Sequence, residues 1–325
     1  MNRMKKTGLA AIPFLFFVSC NRSPEHYLKK GNRLAMEGNT AAAIDSLNRA
    51  VLLRPRYPEA LTSRGLVYEK LGDPGKARYN YEKAVEMAPA YAPAHNNLAA
   101  IFMDAGDYKE AERRLSAALE ISPDYAYGRL NRGVCRYKLG DFGGAFSDLS
   151  RALELDPGLR LALYQRALAA VKLGYRAQAL ADLDALIAAQ QDLPAAWFER
   201  GRIKYEFGDL AGAAADFNRA SALKPGAAAY LYRLADALAR LGYSDGALGN
   251  LDLALKADPK LARAWLLRGD IFAGLKQRVP ALESYARALE SDPGNAELYR
   301  NRAAAISPPA PGRPAKSARP VKKRR

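Results

Sequence analysis

Prolines 55, 89, 123, 157, 225, 259 and 293 fall on a period of 34 residues, and Gln191 holds the one missing place. Ala43, Ala77, Ala111, Ala145, Ala179, Ala213, Ala247 and Ala281 keep the same spacing. So do Ala50, Ala84, Ala118, Ala152, Leu186, Ala220, Ala254 and Ala288. A fourth series is always small: Gly31, Gly65, Ala99, Gly133, Ala167, Gly201, Ala235 and Gly269. No insertion breaks the register between residues 24 and 295. A fixed period of this length marks an array of one supersecondary unit, too small to bury its own apolar face and stable only when stacked. With 49% hydrophobic residues, the chain has the core such stacking requires.

Each unit reads as two helices. Small residues sit where helices approach closely. Gly72, Gly140, Gly174, Gly208 and Gly242 lie where a left-handed residue would stop the first helix. Pro74 and Pro280 fall in the first turn of the second, where a missing N–H costs nothing. Trp197 and Trp265 come early in first helices, and Tyr81, Phe217 and Tyr285 lie in second helices. Together these series resemble the tetratricopeptide repeat (TPR), a helix–turn–helix of about 34 residues. The resemblance divides the chain into repeats 24–57, 58–91, 92–125, 126–159, 160–193, 194–227, 228–261 and 262–295. Residues 296–306 read as a capping helix, closing a domain at 24–306. The resemblance implies an all-α TPR solenoid, a right-handed superhelix. Two irregularities stand out. The fifth repeat lacks its terminal proline, so its second helix is expected to run long. The eighth has Lys276 in place of the turn glycine, so looser packing is expected there.

Comparing repeats suggests a pairing. The seventh residue of each is Lys30, Arg64, Leu98, Arg132, Arg166, Arg200, Leu234 or Arg268, and the twenty-third is Ser46, Asn80, Arg114, Asp148, Asp182, Asp216, Asn250 or Ser284. Aspartate occurs only where arginine precedes it. Arg132–Asp148, Arg166–Asp182 and Arg200–Asp216 are therefore expected to join the two helices of the middle repeats, the alternative being two solvated faces.

No catalytic or metal-binding motif is visible, and no cofactor is implied. His26 and His95 lack partner residues in the sequence. Cys135 aligns with apolar residues in other repeats and reads as core. The chain is thus read as a binding protein rather than an enzyme. In TPR proteins the first helices line a concave face that receives extended partner segments. Residues 2, 5, 9 and 12 of a repeat share one stripe of the first helix. In the middle repeats this stripe carries Tyr127, Tyr137, Tyr164, Phe198, Arg202, Tyr205, Tyr232 and Asp236. Tyrosine and arginine are enriched in binding hot spots; packing between neighbouring first helices is the alternative use. The carboxylate clamp of chaperone-binding relatives is not matched, because Leu28, Ser63 and Pro93 replace its lysine, asparagine and lysine.

The termini carry most of the formal charge of +16. Arg3, Lys5 and Lys6 precede an apolar run, Gly8–Val18, that ends at Ser19-Cys20. Eleven helical residues span only about 16 Å, against about 30 Å of bilayer hydrocarbon. The order fits a secretory signal, and "FVSC" resembles the bacterial lipoprotein motif, with Phe17 in place of the usual leucine. The alternative is a buried cysteine on an N-terminal helix. The resemblance implies a signal peptide at 1–19, lipidation of Cys20, a tether at 20–23 and a membrane anchor. Asn21, in place of the aspartate that favours inner-membrane retention, points to the outer membrane. Residues 307–325 are proline-rich and acid-free, with Arg313, Lys316, Arg319, Lys322, Lys323, Arg324 and Arg325. This tail is expected to be disordered and to meet an anionic surface. Protein partners are expected, and export would make nucleic acid an unlikely one. The competing reading is a cytosolic adaptor whose tail binds nucleic acid.

Overall fold

The structure, a computed structural model, describes residues 23–307. Its described residues form helices only, in two compact units divided after Gly140. The first unit holds α1 (Pro24–Met36), α2 (Thr40–Leu53), α3 (Pro58–Lys70), α4 (Pro74–Met87), α5 (Ala92–Asp104), α6 (Tyr108–Ile121) and α7 (Ala126–Leu139). The second holds α8 (Phe142–Leu155), α9 (Arg160–Leu173), α10 (Arg176–Ala189), α11 (Pro194–Glu206), α12 (Leu210–Leu223), α13 (Ala228–Arg240), α14 (Ser244–Ala257), α15 (Ala262–Gly274) and α16 (Arg278–Ser291). A 3-10 turn (Pro293–Asn295) then leads into α17 (Ala296–Ala305). Within each unit the helices form antiparallel hairpins stacked in sequence order, an all-α solenoid. Tyr299 anchors α17, buried and bonded through its hydroxyl to Asp292. Cys20 and the N-terminal run, and the tail beyond Ser307, lie outside the described residues.

The turn inside each hairpin has one design. Gly38, Gly72, Gly106, Gly140, Gly174, Gly208 and Gly242 all take positive φ, which costs glycine little. The next residue then caps the second helix: Asn39, Asp73, Asp107, Asp141 and Asp209 each accept the N–H three residues on. Lys276 adopts the same conformation at φ 57°. Its N–H reaches Ala273 O and that of Gln277 reaches Phe272 O, as their equivalents do in the glycine turns. The turn of the eighth repeat is therefore not loosened: the hydrogen bonds hold lysine in a backbone region that disfavours it.

The fifth repeat also departs from expectation. α10 ends at Ala189, in register with α8 and α12, and does not run long. The tie at the junction explains this without proline. The Gln191 carbonyl accepts the Trp197 indole N–H at 2.9 Å. The Pro259 carbonyl accepts from Trp265 in the same way, and the Pro123 carbonyl accepts from Arg129. His95 Nε2 lies 3.0 Å from the Pro89 carbonyl.

In the repeats that lie within one unit, the small eighth residue is buried against the twenty-fourth. Gly31 meets Leu47, Gly65 meets Tyr81, Gly201 meets Phe217 and Gly269 meets Tyr285. Ala99, Ala167 and Ala235 stand in clusters with Leu115, Leu183 and Leu251. An aromatic ring thus stands at the twenty-fourth position only where the eighth residue is glycine, and every alanine has leucine there, as close packing requires.

Arginine at the seventh position does more than join two helices. Arg166 donates to both carboxylate oxygens of Asp182 at 2.9 and 2.7 Å, and to Ser150 Oγ on the preceding second helix. Arg200 holds Asp216 at 2.9 and 2.6 Å, and Asp184 of the preceding repeat at 2.7 Å. Arg64 bridges Asn80 and Asn48, and Arg268 bridges Ser284 and Asp252. Arg132 reaches Ser116 in the first unit, while Asp148 is buried in the second. Each of Arg64, Arg166, Arg200 and Arg268 therefore touches three helices, and of these contacts only Arg166–Asp182 and Arg200–Asp216 were expected from the sequence.

Two outcomes follow. A Cβ on Gly201 would stand 2.9 Å from the Phe217 ring, so Gly201→Ala should destabilise by about 1–3 kcal/mol, outweighing the roughly 1 kcal/mol helix-propensity gain. Adding Phe217→Leu recreates the Ala167–Leu183 pairing, and urea denaturation should show recovery of at least half the loss. Arg200→Leu strips a buried carboxylate that keeps only Lys204 at 2.9 Å, a loss of about 3 kcal/mol. Asp184→Asn, at a 60% exposed side chain, should cost under about 1 kcal/mol. Equal losses in the two variants would refute this ranking.

Candidate functional site

In the second unit, side chains of the successive first helices α11, α13 and α15 interlock. Tyr205 on α11 donates its hydroxyl to Asp236 Oδ2 on α13 at 2.6 Å. Arg233 and Arg240 flank the same carboxylate at 3.9 and 3.8 Å. Arg240 lies over the Tyr205 ring at 4.7 Å, with Arg233 at 5.9 Å from both the Tyr205 and Tyr232 rings. From α15, Arg263 lies 5.8 Å from the Tyr232 ring. Burial and the nearby Asp236 carboxylate hold both phenols above their usual pKa, so each is a neutral donor at neutral pH.

Other stripe residues serve differently. Phe198 is committed to packing, stacked on Tyr230 at 4.5 Å and tilted against Phe217 at 5.5 Å. Arg202 pairs with Glu199 at 3.0 Å. Tyr164 is half-buried against the core around Ala167, Leu183 and Ile203. In the first unit, Tyr127 is exposed on α7 and Tyr137 is half-buried. Asn32, Met36, Ser63 and Leu66 line a shallow recess of about 350 Å³ there. Cys135 is fully buried beside Ala99, Ala111 and Leu115, and burial pushes its thiol up to about 12. That value leaves it protonated and unreactive. Among the described residues, no group of three or more His, Cys, Asp or Glu residues could hold a metal ion.

The stripe rule missed Arg233 and Arg240, which stand one residue off the stripe. Arg263 falls on the stripe, but in the eighth repeat, beyond the middle repeats whose stripe residues are named above. The available signal was the density of arginine beside tyrosine in "AAAYLYRLADALAR" (227–240), which repeat-by-repeat comparison averages away.

The family models described as tetratricopeptide repeat or TPR repeat match residues 31–72, 68–130, 164–228 and 232–296. The chain belongs to the tetratricopeptide repeat family. No curated protein matches it in sequence. Among solved structures, PilF of Pseudomonas aeruginosa is similar at TM-score 0.58 and 21% identity, over 64% of this chain and 94% of that one. YrrB, a TPR protein with an unusual peptide-binding site, is similar at TM-score 0.51 and 22% identity, over 57% and 95%. The APC/C hetero-tetramer Cut9–Hcn1 gives TM-score 0.55 and 18% identity, over 86% of this chain and 55% of that one. At these identities the likeness is one of fold.

The tyrosine–aspartate bond across two repeats can be weighed directly. Tyr205→Phe removes a charge-assisted bond to a largely buried carboxylate, a loss of about 1–2 kcal/mol. A lowered urea midpoint is expected, with helical content by circular dichroism unchanged.

Proposed function

We propose that this TPR protein is a membrane-anchored scaffold of the bacterial cell envelope that binds partner proteins on the face formed by its first helices. The observation that carries the binding role is the Tyr205–Asp236–Arg240 cluster. It holds aromatic rings and guanidinium groups in place on a half-exposed surface, the composition of interface hot spots. Arg240 and Arg263 stay exposed there rather than entering the core. The anchor rests on the N-terminal sequence: a basic start, a short apolar run and Ser19-Cys20, which together support a lipid-modified cysteine and an outer-membrane location. Among the described residues no helix is long and apolar enough to cross a membrane, so on this reading attachment falls to Cys20. α1 begins at Pro24, and four extended residues reach at most about 14 Å. Lipid on Cys20 would hold the first hairpin close to the bilayer, with Lys29 and Arg33 exposed on α1. The basic tail would supply a second, electrostatic contact with an anionic surface.

Two measurements test the two halves separately. Cys20→Ser should abolish palmitate labelling and move the protein from the membrane to the soluble fraction. Unchanged membrane partitioning would reject the anchor. A photo-crosslinking residue at Tyr232 or Leu161 should capture partner protein in cells, whereas one at Arg219, on the exposed side of α12, should not. Capture from Arg219 alone would reject the first-helix face.

A further inference from the structure

The cluster on α11, α13 and α15 carries unbalanced charge. Asp236 is its central acid, and its closest partner is the neutral Tyr205 hydroxyl at 2.6 Å. Arg233 and Arg240 stand 3.9 and 3.8 Å from it, beyond the 2.7–2.9 Å of charge-assisted bonds. One carboxylate is thus loosely shared by two guanidinium groups. Arg263 has no carboxylate within ion-pair distance among the described residues. Its guanidinium lies over the Tyr232 ring. The Arg240 side chain is 59% exposed, and Arg263 is exposed. A guanidinium laid over an aromatic ring keeps its N–H edge for a planar, bidentate acceptor. The surface therefore presents about two uncompensated positive charges on a tyrosine platform.

The arginines at the seventh position provide the contrast within the same fold. Arg166 and Arg200 are bonded to buried aspartates at 2.6–2.9 Å and have no such capacity left.

Resting on the binding face proposed above, we infer that this cluster receives an acidic, extended polypeptide segment of a partner protein, with Arg233, Arg240 and Arg263 taking its carboxylates. The chain's own C-terminal tail has the wrong charge for the site, since residues 307–325 contain no acid. A nucleic acid fits less well. Its regular run of phosphates would meet Asp236 and Asp270 on these same helices, whereas a peptide can place neutral residues opposite them.

Fluorescence anisotropy of the full chain in mild detergent tests the inference. The probes are fluorescein-labelled ten-residue peptides alternating glutamate with alanine around a central tyrosine, and the same peptides with glutamine or lysine in place of glutamate. The glutamate peptide should bind at least tenfold more tightly than the glutamine one at 50 mM salt, with a preference that shrinks as salt rises. Arg240→Gln and Arg263→Gln should each weaken it at least threefold. Asp236→Asn keeps an acceptor for Tyr205 but removes the competing charge, so it should tighten the glutamate peptide at least threefold, an effect no purely structural role predicts. Equal binding of the glutamate and glutamine peptides, weaker binding by Asp236→Asn, or equal competition by oligo(dT) would each overturn the inference. So would a dimer that Arg240→Gln dissolves, since a second copy would then own the face. Crosslinks from Tyr232 alongside indifferent peptides would defeat the acidic segment and leave the binding face standing. Crosslinks from Arg219 alone would defeat both.

Discussion

Each hairpin depends on one close approach between its two helices, at the eighth residue of the repeat. No side chain larger than a methyl stands there, and an aromatic ring follows sixteen positions later only where that residue is glycine. Tyr81 lies over Gly65 and Phe217 over Gly201, while Leu183 stands with Ala167. An interior packed to crystal density has no slack for both members to be large. The aromatic rings at this position therefore depend on glycine making room for them.

Stacking the hairpins needs a second device, which arginine supplies at the seventh position. Its planar fork can satisfy a buried acceptor on its own second helix and a more exposed one on the preceding second helix together. The buried contact carries the energetic weight, since stranding Asp182 or Asp216 without a cation is what costs. The outer contact, to Ser150 or Asp184, mainly fixes where the next hairpin sits. The side chain at the fourth residue, bonded to the carbonyl before it, ties the same junction from the other end. This tie tolerates the loss of proline after α10, because the group it uses is a backbone carbonyl that any residue provides.

What the sequence made legible, and what it did not, follows from the range of each interaction. Helix order, turn position and the small-residue seam repeat every 34 residues, so eight examples average out local noise. The pairing of Arg166 with Asp182 and of Arg200 with Asp216 was visible because both partners belong to the same repeat and change together along the chain. The link from Arg200 to Asp184 crosses a repeat boundary, and comparison within repeats cannot see it. The expected lengthening of α10 came from reading proline as the cause of helix termination, when the junction tie and the start of α11 at Pro194 already stop it. The proposed binding face was the least legible part. Phe198 and Tyr205 have the same residue character in sequence, but one ring is used up by Tyr230 and Phe217 and the other offers its hydroxyl to Asp236.

The seventh repeat shows how one scaffold can free charge for a surface. Its seventh residue is Leu234, buried with Ala213 and Phe217, and the twenty-third position on α14 holds Asn250 where the fourth to sixth repeats hold aspartate. Asn250, at the place of the missing acid, bonds back to the Gly246 carbonyl of its own helix. The internal bridge is replaced by apolar contact, which costs no cation. The arginines that α13 does carry, Arg233 and Arg240, lie on the other side of the helix, over tyrosine rings and beside a single shared carboxylate. In the fifth and sixth repeats the arginine at the seventh position goes into the core of the hairpin. In the seventh that position is apolar and the arginines of the first helix are turned outward, which on the reading proposed above leaves their charge for a partner.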